Sequence, residues 1–139
     1  MIPSTDVFTV EKRSAVMARI RSRGNLKTEL RFIVLMKLHG IAGWRRNVPL
    51  FGRPDFVFPR ARVAVFLDGC FWHSCPRHYN EPTQNAEFWR RKRATNRRRD
   101  RLVTRTLMAR GWLVLRIWEH ALRGTGQRAM TRLRRSLGE

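Results

Sequence analysis

Acidic residues are scarce in this sequence. Of its 139 residues, 10 are Asp or Glu and 30 are Lys or Arg, which gives a formal net charge of +20. Only four of the cations are lysine, and all the others are arginine. The planar guanidinium of arginine suits bidentate contacts with phosphate groups and base edges. This composition predicts a polyanionic partner, and nucleic acid is the default one.

Cysteine and long apolar runs are also in short supply. Two cysteines cannot build a disulfide scaffold, and no apolar run approaches the roughly 18–20 residues of a membrane span. The first residues, MIPSTDVFTVEKRS, lack the apolar segment of a secretory signal. These absences argue against a disulfide-rich secreted protein and a membrane protein, and they predict a reducing, cytoplasmic location.

The length and a hydrophobic content of 42% predict one α/β domain over residues 1–139, with a mixed central sheet flanked by helices. A hairpin is expected where Pro59, Arg60 and Ala61 separate two strand-like runs. The predicted elements, in chain order, are helices at 9–23 and 27–38, a short strand at 44–48, a turn leading into a strand at 51–59, a strand at 62–69, a helix at 85–110, a strand at 111–120 and a helix at 127–137.

Two aspartates lie at the ends of the predicted hairpin strands. Asp55 follows Pro54 and begins one strand, and Asp68 ends the next, so the hairpin would bring them to the same end of the sheet. Asp55 could be only a turn residue. However, two carboxylates at one edge of a very basic protein are electrostatically unfavourable unless they hold Mg²⁺. Glu29 could join them, or could be an ordinary first-turn acid of its helix.

A cluster of cysteine and histidine follows the second hairpin strand. Five residues are candidates for the four places of a tetrahedral zinc site, namely Cys70, His73, Cys75, His78 and, after the predicted strand at 111–120, His120. The four local residues would crowd onto one tight turn. A set that includes His120 would instead join the loop to a distant strand and free His73 as a general acid or base.

Aromatic residues stand beside cationic ones in a pattern that indicates more than a solvated surface. Phe88 and Trp89 precede RRKRATNRRRDR (90–101), in which eight of twelve residues are basic. Aromatic wedges can enter base steps, and a mispaired step unstacks more easily than a paired one. Phe88 is expected to pack in the core. Asp100, the only acid in this run, either neutralises neighbouring arginines or orients a histidine.

These segments resemble the very-short-patch repair (Vsr) family of DNA mismatch endonucleases. The resemblance covers residues 10–124 and is carried by MARIRSRGNLKTEL (17–30), GRPDFVFP (52–59), FLDGCFWHSCPRH (66–78), NAEFWRRKRATNRRRD (85–100) and GWLVLRIWEHALRG (111–124). It implies a fold similar to that of restriction endonucleases (PD-(D/E)xK-like). It also implies a Mg²⁺-dependent nick 5′ to the thymine of a T:G mismatch, a lesion that arises when 5-methylcytosine deaminates.

The resemblance also implies roles for individual residues. Asp55 matches the catalytic metal-binding aspartate, and Leu67 matches the position whose backbone carbonyl binds the metal. His73 matches the catalytic histidine, Asp100 its supporting carboxylate, and Glu29 an acid near the site. At Asp68 the best-known branch has a histidine, so Asp68 is a further candidate metal ligand. The structural zinc ligands map to Cys70, Cys75, His78 and His120, and the intercalating aromatics to Phe71, Trp72 and Trp89.

We therefore expect a monomeric DNA nickase that starts T:G mismatch repair at the bacterial nucleoid. A mismatch-repair matchmaker protein and a cytosine-5 DNA methyltransferase are its candidate partners. One alternative is a nickase or restriction-like nuclease that does not require a mismatch. Another is a zinc-stapled DNA-binding module without catalysis, which would leave Asp55, His73 and Asp100 without a role.

Overall fold

The computed structural model describes residues 26–70 and 83–139. The predicted helix at 9–23 lies outside these residues, as do Phe71, Trp72, His73, Cys75 and His78. The described elements are helices α1 (Leu26–Leu38), α2 (Ala86–Ala109) and α3 (Gln127–Ser136), strands β1 (Phe56–Phe58), β2 (Val63–Asp68) and β3 (Leu113–Trp118), and a 3-10 helix at Glu119–Leu122. The helices predicted at 27–38, 85–110 and 127–137 are confirmed. None of the described helices is long and apolar enough to span a membrane.

The strands form a mixed sheet in the order β1-β2-β3. β1 and β2 are the predicted hairpin, antiparallel, with Phe56 opposite Val65. β2 and β3 run parallel from the Val63–Leu113 pair to the Asp68–Trp118 pair. Parallel neighbours need a long crossover, and α2 lies within this one. The predicted mixed α/β class is therefore confirmed.

The strand predicted at 44–48 is wrong. Only an isolated bridge forms there, in which Arg45 and Val57 exchange backbone hydrogen bonds of 2.8 and 2.9 Å. Two residues later Asn47 has a φ of 56°, which turns the chain out of the extended conformation. Pro49 has no N–H to continue a ladder. The segment therefore touches β1 once and then leaves it.

Alternate residues of the strands supply two apolar clusters, one on each face of the sheet. On one face, Val65 and Leu67 of β2 pack with α1, α3 and the 3-10 helix. On the other face, Ala64 and Phe66 pack with Val103 and Leu107 of α2. The sheet is therefore sandwiched between helices. Polar groups gather at one edge of this sandwich, where β2 ends and β1 begins.

The loop that leads to β1 passes close to Val103 of α2 at Gly52. Gly52 has a φ of +79°, and a Cβ placed there would lie 2.4 Å from Cγ1 of Val103. A side chain at this position would be strained by both the backbone conformation and the contact with α2. The glycine thus lets the loop pack against α2 and positions Pro54 and Asp55 at the edge of the sheet.

Candidate active site

Asp55 is a buried carboxylate at the entrance to β1, with 7% of its surface exposed. Its backbone N–H donates to the carbonyl of Val65 at 2.9 Å, and its Oδ2 accepts a hydrogen bond from the Leu67 N–H at 2.7 Å. Its other oxygen, Oδ1, is buried and has no hydrogen-bond donor within the part of the chain that the structure describes. A buried acceptor without a partner is costly, so this oxygen is suited to a proton shared with a neighbouring acid or to a cation.

The surroundings of Asp55 favour its neutral form. Burial raises the pKa of this carboxyl from 3.8 to about 8, against the lowering effect of the Leu67 N–H. The negative charges of Glu29 and Asp68 raise the pKa further, as does a hydrogen bond with Glu29. Asp55 and Glu29 can share one proton when Asp55 is neutral, and neither can donate when both are ionised. A cation at this site would reverse this balance and favour ionisation.

Glu29 is held beside Asp55 by an arginine. It lies in the first turn of α1, and its Oε2 accepts from Nη2 of Arg46 at 3.1 Å. The Arg46 guanidinium in turn lies 5.5 Å from the ring centroid of Phe56, the first residue of β1. The structure therefore brings Glu29 and Asp55 together. A cleft of about 240 Å³ opens over them and is lined by Glu29, Asn47, Val48, Pro49, Arg53, Pro54 and Asp55.

The backbone of Leu67 faces the same edge. Val65 accepts from the Asp55 N–H, and Leu67 donates to the Asp55 side chain, so both residues turn their polar backbone groups towards β1. The N–H and C=O of one strand residue point to the same side. The Leu67 carbonyl therefore faces the edge at which Asp55 lies. Two carboxylates and a carbonyl are the hard oxygen ligands that Mg²⁺ takes in proteins.

Asp68, which was expected as a further metal ligand beside Asp55, pairs with an arginine in the structure. Its Oδ1 lies 3.0 Å from Nη1 of Arg116, on the face that α2 covers. The same nitrogen is 3.8 Å from Oδ1 of Asp100. Arg116 also donates to the Asp100 carbonyl at 3.2 Å and to Oγ1 of Thr104 at 3.2 Å. The sequence left two roles for Asp100, neutralising a neighbouring arginine or orienting a histidine. The structure shows such an arginine, and the candidate histidine, His73, lies outside the described residues.

Sequence reasoning missed Arg116. Its signal was present, because it is the single cation inside the alternating run GWLVLRIWEH. In the structure its guanidinium also stacks 4.4 Å from the ring centroid of Phe66. It therefore links β2, β3 and α2 at the edge where Asp68 and Asp100 meet.

Two of the four predicted zinc ligands lie together. Sγ of Cys70 is 3.3 Å from Nδ1 of His120, although 50 positions separate them in the chain. The Cys70 N–H donates to Oε1 of Glu119 at 2.8 Å. Cys75 and His78 are outside the described residues. Within residues 26–70 and 83–139, no group of three or more His, Cys, Asp or Glu could hold a metal ion.

The aromatic pair at the start of α2 does not pack as expected. Phe88 is 52% exposed rather than buried, and its ring meets Trp89 edge-on with centroids 5.1 Å apart. The buried residues of α2 begin only at Asn96, and those that pack on the sheet are Val103 and Leu107. Trp89 is half-buried.

Comparisons with known proteins are consistent with a nuclease. The family model described as DNA mismatch endonuclease Vsr matches residues 5–81. The DNA mismatch endonuclease Vsr of Escherichia coli K12 is 38% identical over 86% of this chain and 76% of its own length. The type II nicking enzyme V.NmeDIP of Neisseria meningitidis serogroup C is 39% identical over 83% of this chain and 78% of its own. V.NaeI of Lentzea aerocolonigenes is 53% identical, but over only 49% of this chain and 41% of its own.

Proposed function

The chain belongs to the Vsr family of DNA mismatch endonucleases, and from this premise we propose that it nicks one strand of duplex DNA 5′ to the thymine of a T:G mismatch. The family and the nicking enzymes among its relatives support a DNA endonuclease. The nick would leave 3′-hydroxyl and 5′-phosphate ends and start very-short-patch repair.

The observation that carries this proposal is the buried Oδ1 of Asp55 beside Glu29, which has no donor among the described residues. We propose that Asp55 and the Leu67 carbonyl hold Mg²⁺, with Glu29 nearby. When bound, the ion would polarise the phosphate and stabilise the charge of an in-line displacement. The Leu67 N–H fixes one oxygen of Asp55, and Arg46 fixes Glu29. His73, oriented by Asp100, would transfer a proton to or from the attacking water.

We further propose a structural zinc site formed by Cys70, Cys75, His78 and His120. The contact between Cys70 and His120 supports it, because ligands of one zinc ion at bond lengths of roughly 2.0–2.3 Å must lie within a few ångströms of each other. Such a site would connect the segment after β2 to the 3-10 helix after β3. Folding energy from the metal would then stabilise the edge of the sheet that carries Asp55.

Aromatic residues would supply the recognition of the mismatch. Phe71, Trp72 and Trp89 would sense it by insertion, since a mispaired step is the easier one to unstack. We propose a single restriction-endonuclease-like domain over residues 1–139, and the helix–sheet–helix arrangement of the described residues supports it. We propose that it acts in the cytoplasm as a monomer, with a mismatch-repair matchmaker protein and a cytosine-5 DNA methyltransferase as partners.

A nickase that ignores mismatches is the second candidate, because several relatives are named type II nicking enzymes. The test uses purified protein, Mg²⁺ and two labelled duplexes that differ only by T:G in place of C:G. The proposal expects one nick, beside the thymine of the T:G duplex alone. Equal cutting of both duplexes would favour the second candidate. Binding without cutting, with Mn²⁺ also tried, would contradict both.

A substitution at Asp55 tests the site itself. Asp55→Asn should abolish nicking and leave binding to the T:G duplex within about twofold of the wild type, because DNA affinity comes mainly from cationic contacts. Glu139→Gln is the matched control, because it removes one exposed carboxylate at the other end of the described chain. Nicking by Asp55→Asn at the wild-type rate would refute the assignment.

A further inference from the structure

A second, larger cavity lies on the opposite face of the sheet from α1 and α3. It has a volume of about 630 Å³ and lies between α2 and the ends of β2 and β3. Its lining residues are Asp68, Arg97, Asp100, Arg101, Thr104, Arg105, Arg116 and Trp118. Four arginines against two aspartates leave this groove with a net formal charge of +2.

The arginines of the groove fall into two groups. Arg116 is enclosed by hydrogen bonds to Asp68, Thr104 and the Asp100 carbonyl. It therefore contacts the Asp68 carboxylate and the Thr104 hydroxyl directly, and it lies 3.8 Å from the Asp100 carboxylate. Arg97, Arg101 and Arg105 are exposed, and their side chains make no hydrogen bond or ion pair with any of the described residues. This differs from Arg98 and Arg99 on the same helix, which donate to Thr95 and Asn96 within their own turns.

The three exposed arginines form a row. They recur every fourth residue, so they follow one face of α2 with a rise of about 6 Å at each step. One small anion cannot contact guanidiniums spread over about 12 Å of helix, whereas a chain of phosphates can. An extended anion is therefore the ligand whose charge distribution matches this row.

The groove also begins beside the candidate active site. Asp68, one of its lining residues, directly follows Leu67, whose N–H donates to Asp55. A strand cut at Asp55 that continues past the end of β2 would meet this groove next. The alternative, a solvated basic face, predicts no such alignment between exposed arginines, a cavity and the site.

We propose that Arg97, Arg101 and Arg105 bind consecutive phosphates of one DNA strand, and that Arg116 keeps Asp68 and Asp100 from pairing with them. This inference rests on the proposed function only in taking DNA as the substrate. The row would position the strand that runs past Asp55. It would carry no sequence information, because phosphate contacts fix register and do not read bases.

The test measures binding, in the absence of Mg²⁺, of the full chain to the T:G and C:G duplexes as salt is raised. Each phosphate contact contributes about 0.9 to the slope of log affinity against log salt. Arg97→Gln/Arg101→Gln/Arg105→Gln should therefore lower that slope by about 2.7 on both duplexes. By the same relation, the ratio of the wild-type DNA affinity to that of this variant should fall about 40-fold between 50 mM and 200 mM salt.

A charge-matched control separates the groove from the overall charge. Arg128→Gln/Arg132→Gln/Arg135→Gln removes three exposed arginines from α3, which packs on the other face of the sheet. The inference expects this variant to change the slope by less than about 1, that is, by less than one phosphate contact. Equal slopes for the two triple variants would overturn it, as would an unchanged slope for the groove variant. If the groove triple variant fails to fold, judged by circular dichroism, the single variants should each lower the slope by about 0.9.

Neutral phosphates test the claim of a single strand. Methylphosphonates are introduced one position at a time on either strand of the T:G duplex. Positions that weaken wild-type binding but not binding of the groove variant should all fall on one strand, and their appearance on both strands would overturn the inference. Both assays measure binding and not cutting. They therefore test the row of phosphate contacts even if the protein binds mismatched DNA without nicking it.

Discussion

Asp55 is protonated in the folded protein, so we expect the protein to become less stable as pH rises. The substitution Asp55→Asn should remove this pH dependence. The folded protein holds the proton of this carboxyl up to a pKa of about 8, mainly because the group is buried. In the unfolded chain the same group titrates near its ordinary value of 3.8. Between these values the unfolded state binds fewer protons than the folded state, so the free energy of unfolding falls with rising pH.

The magnitude follows from proton linkage. A group that is protonated in the folded state and ionised in the unfolded state costs about 1.4 kcal/mol of stability for each pH unit. From pH 5 to pH 7 the wild type should therefore lose about 3 kcal/mol through Asp55. Asparagine does not titrate, and its amide oxygen can still accept the Leu67 N–H that Asp55 now accepts.

Urea denaturation of both proteins at pH 5, 6 and 7, in buffer without Mg²⁺, measures this difference. The contributions of titrating groups that do not interact with Asp55 are common to both proteins and cancel in the comparison. The free energy of unfolding of the wild type should fall relative to Asp55→Asn by about 1.4 kcal/mol per pH unit. Parallel pH profiles would refute the reasoning. Mg²⁺ added at pH 7 should raise the melting temperature of the wild type only, because the cation replaces the proton.

Two further substitutions test the proposed zinc site and the ion pair between Arg116 and Asp68. Cys70→Ala should reduce bound zinc well below one atom per chain and lower the melting temperature, measured by metal analysis and calorimetry; unchanged zinc content would contradict the ligand set. Arg116→Met should destabilise the fold by about 3 kcal/mol in urea, because it removes the arginine that pairs with the buried Asp68. Adding Asp68→Asn should then recover part of that loss, whereas simple additivity of the two effects would show that the pair is not coupled.

Local sequence features were enough to predict the hairpin and the position of Asp55. β1 and β2 are separated by four residues, so their pairing follows from one turn between two apolar runs. Once that hairpin exists, the start of β1 and the end of β2 must share an edge. The contact between Asp55 and the Leu67 N–H is a direct consequence.

Burial and backbone conformation at single positions could not be predicted in the same way. Phe88 is apolar and lies in a helix, yet it is exposed, and the residues of α2 that pack on the sheet, Val103 and Leu107, lie at least 15 positions further along. The segment 44–48 (WRRNV) was predicted as a short strand, but the positive φ of Asn47 ends the pairing after one bridge. In the first case the deciding factor is where α2 packs on the sheet, and in the second it is the backbone conformation of one residue; composition and periodicity specify neither.

The environment of Asp68 shows the same limit at the site. In the sequence it is a carboxylate at a strand end, equivalent to Asp55 in its pattern. What separates the two is the parallel register of β3, which sets Arg116 opposite Phe66 and within reach of Asp68. That register is fixed across a crossover containing the 24-residue α2, so no local motif encodes it. The pairing neutralises Asp68, whereas Asp55 keeps a buried oxygen with no donor among the described residues, which is why Asp55 rather than Asp68 is the one suited to receive a cation.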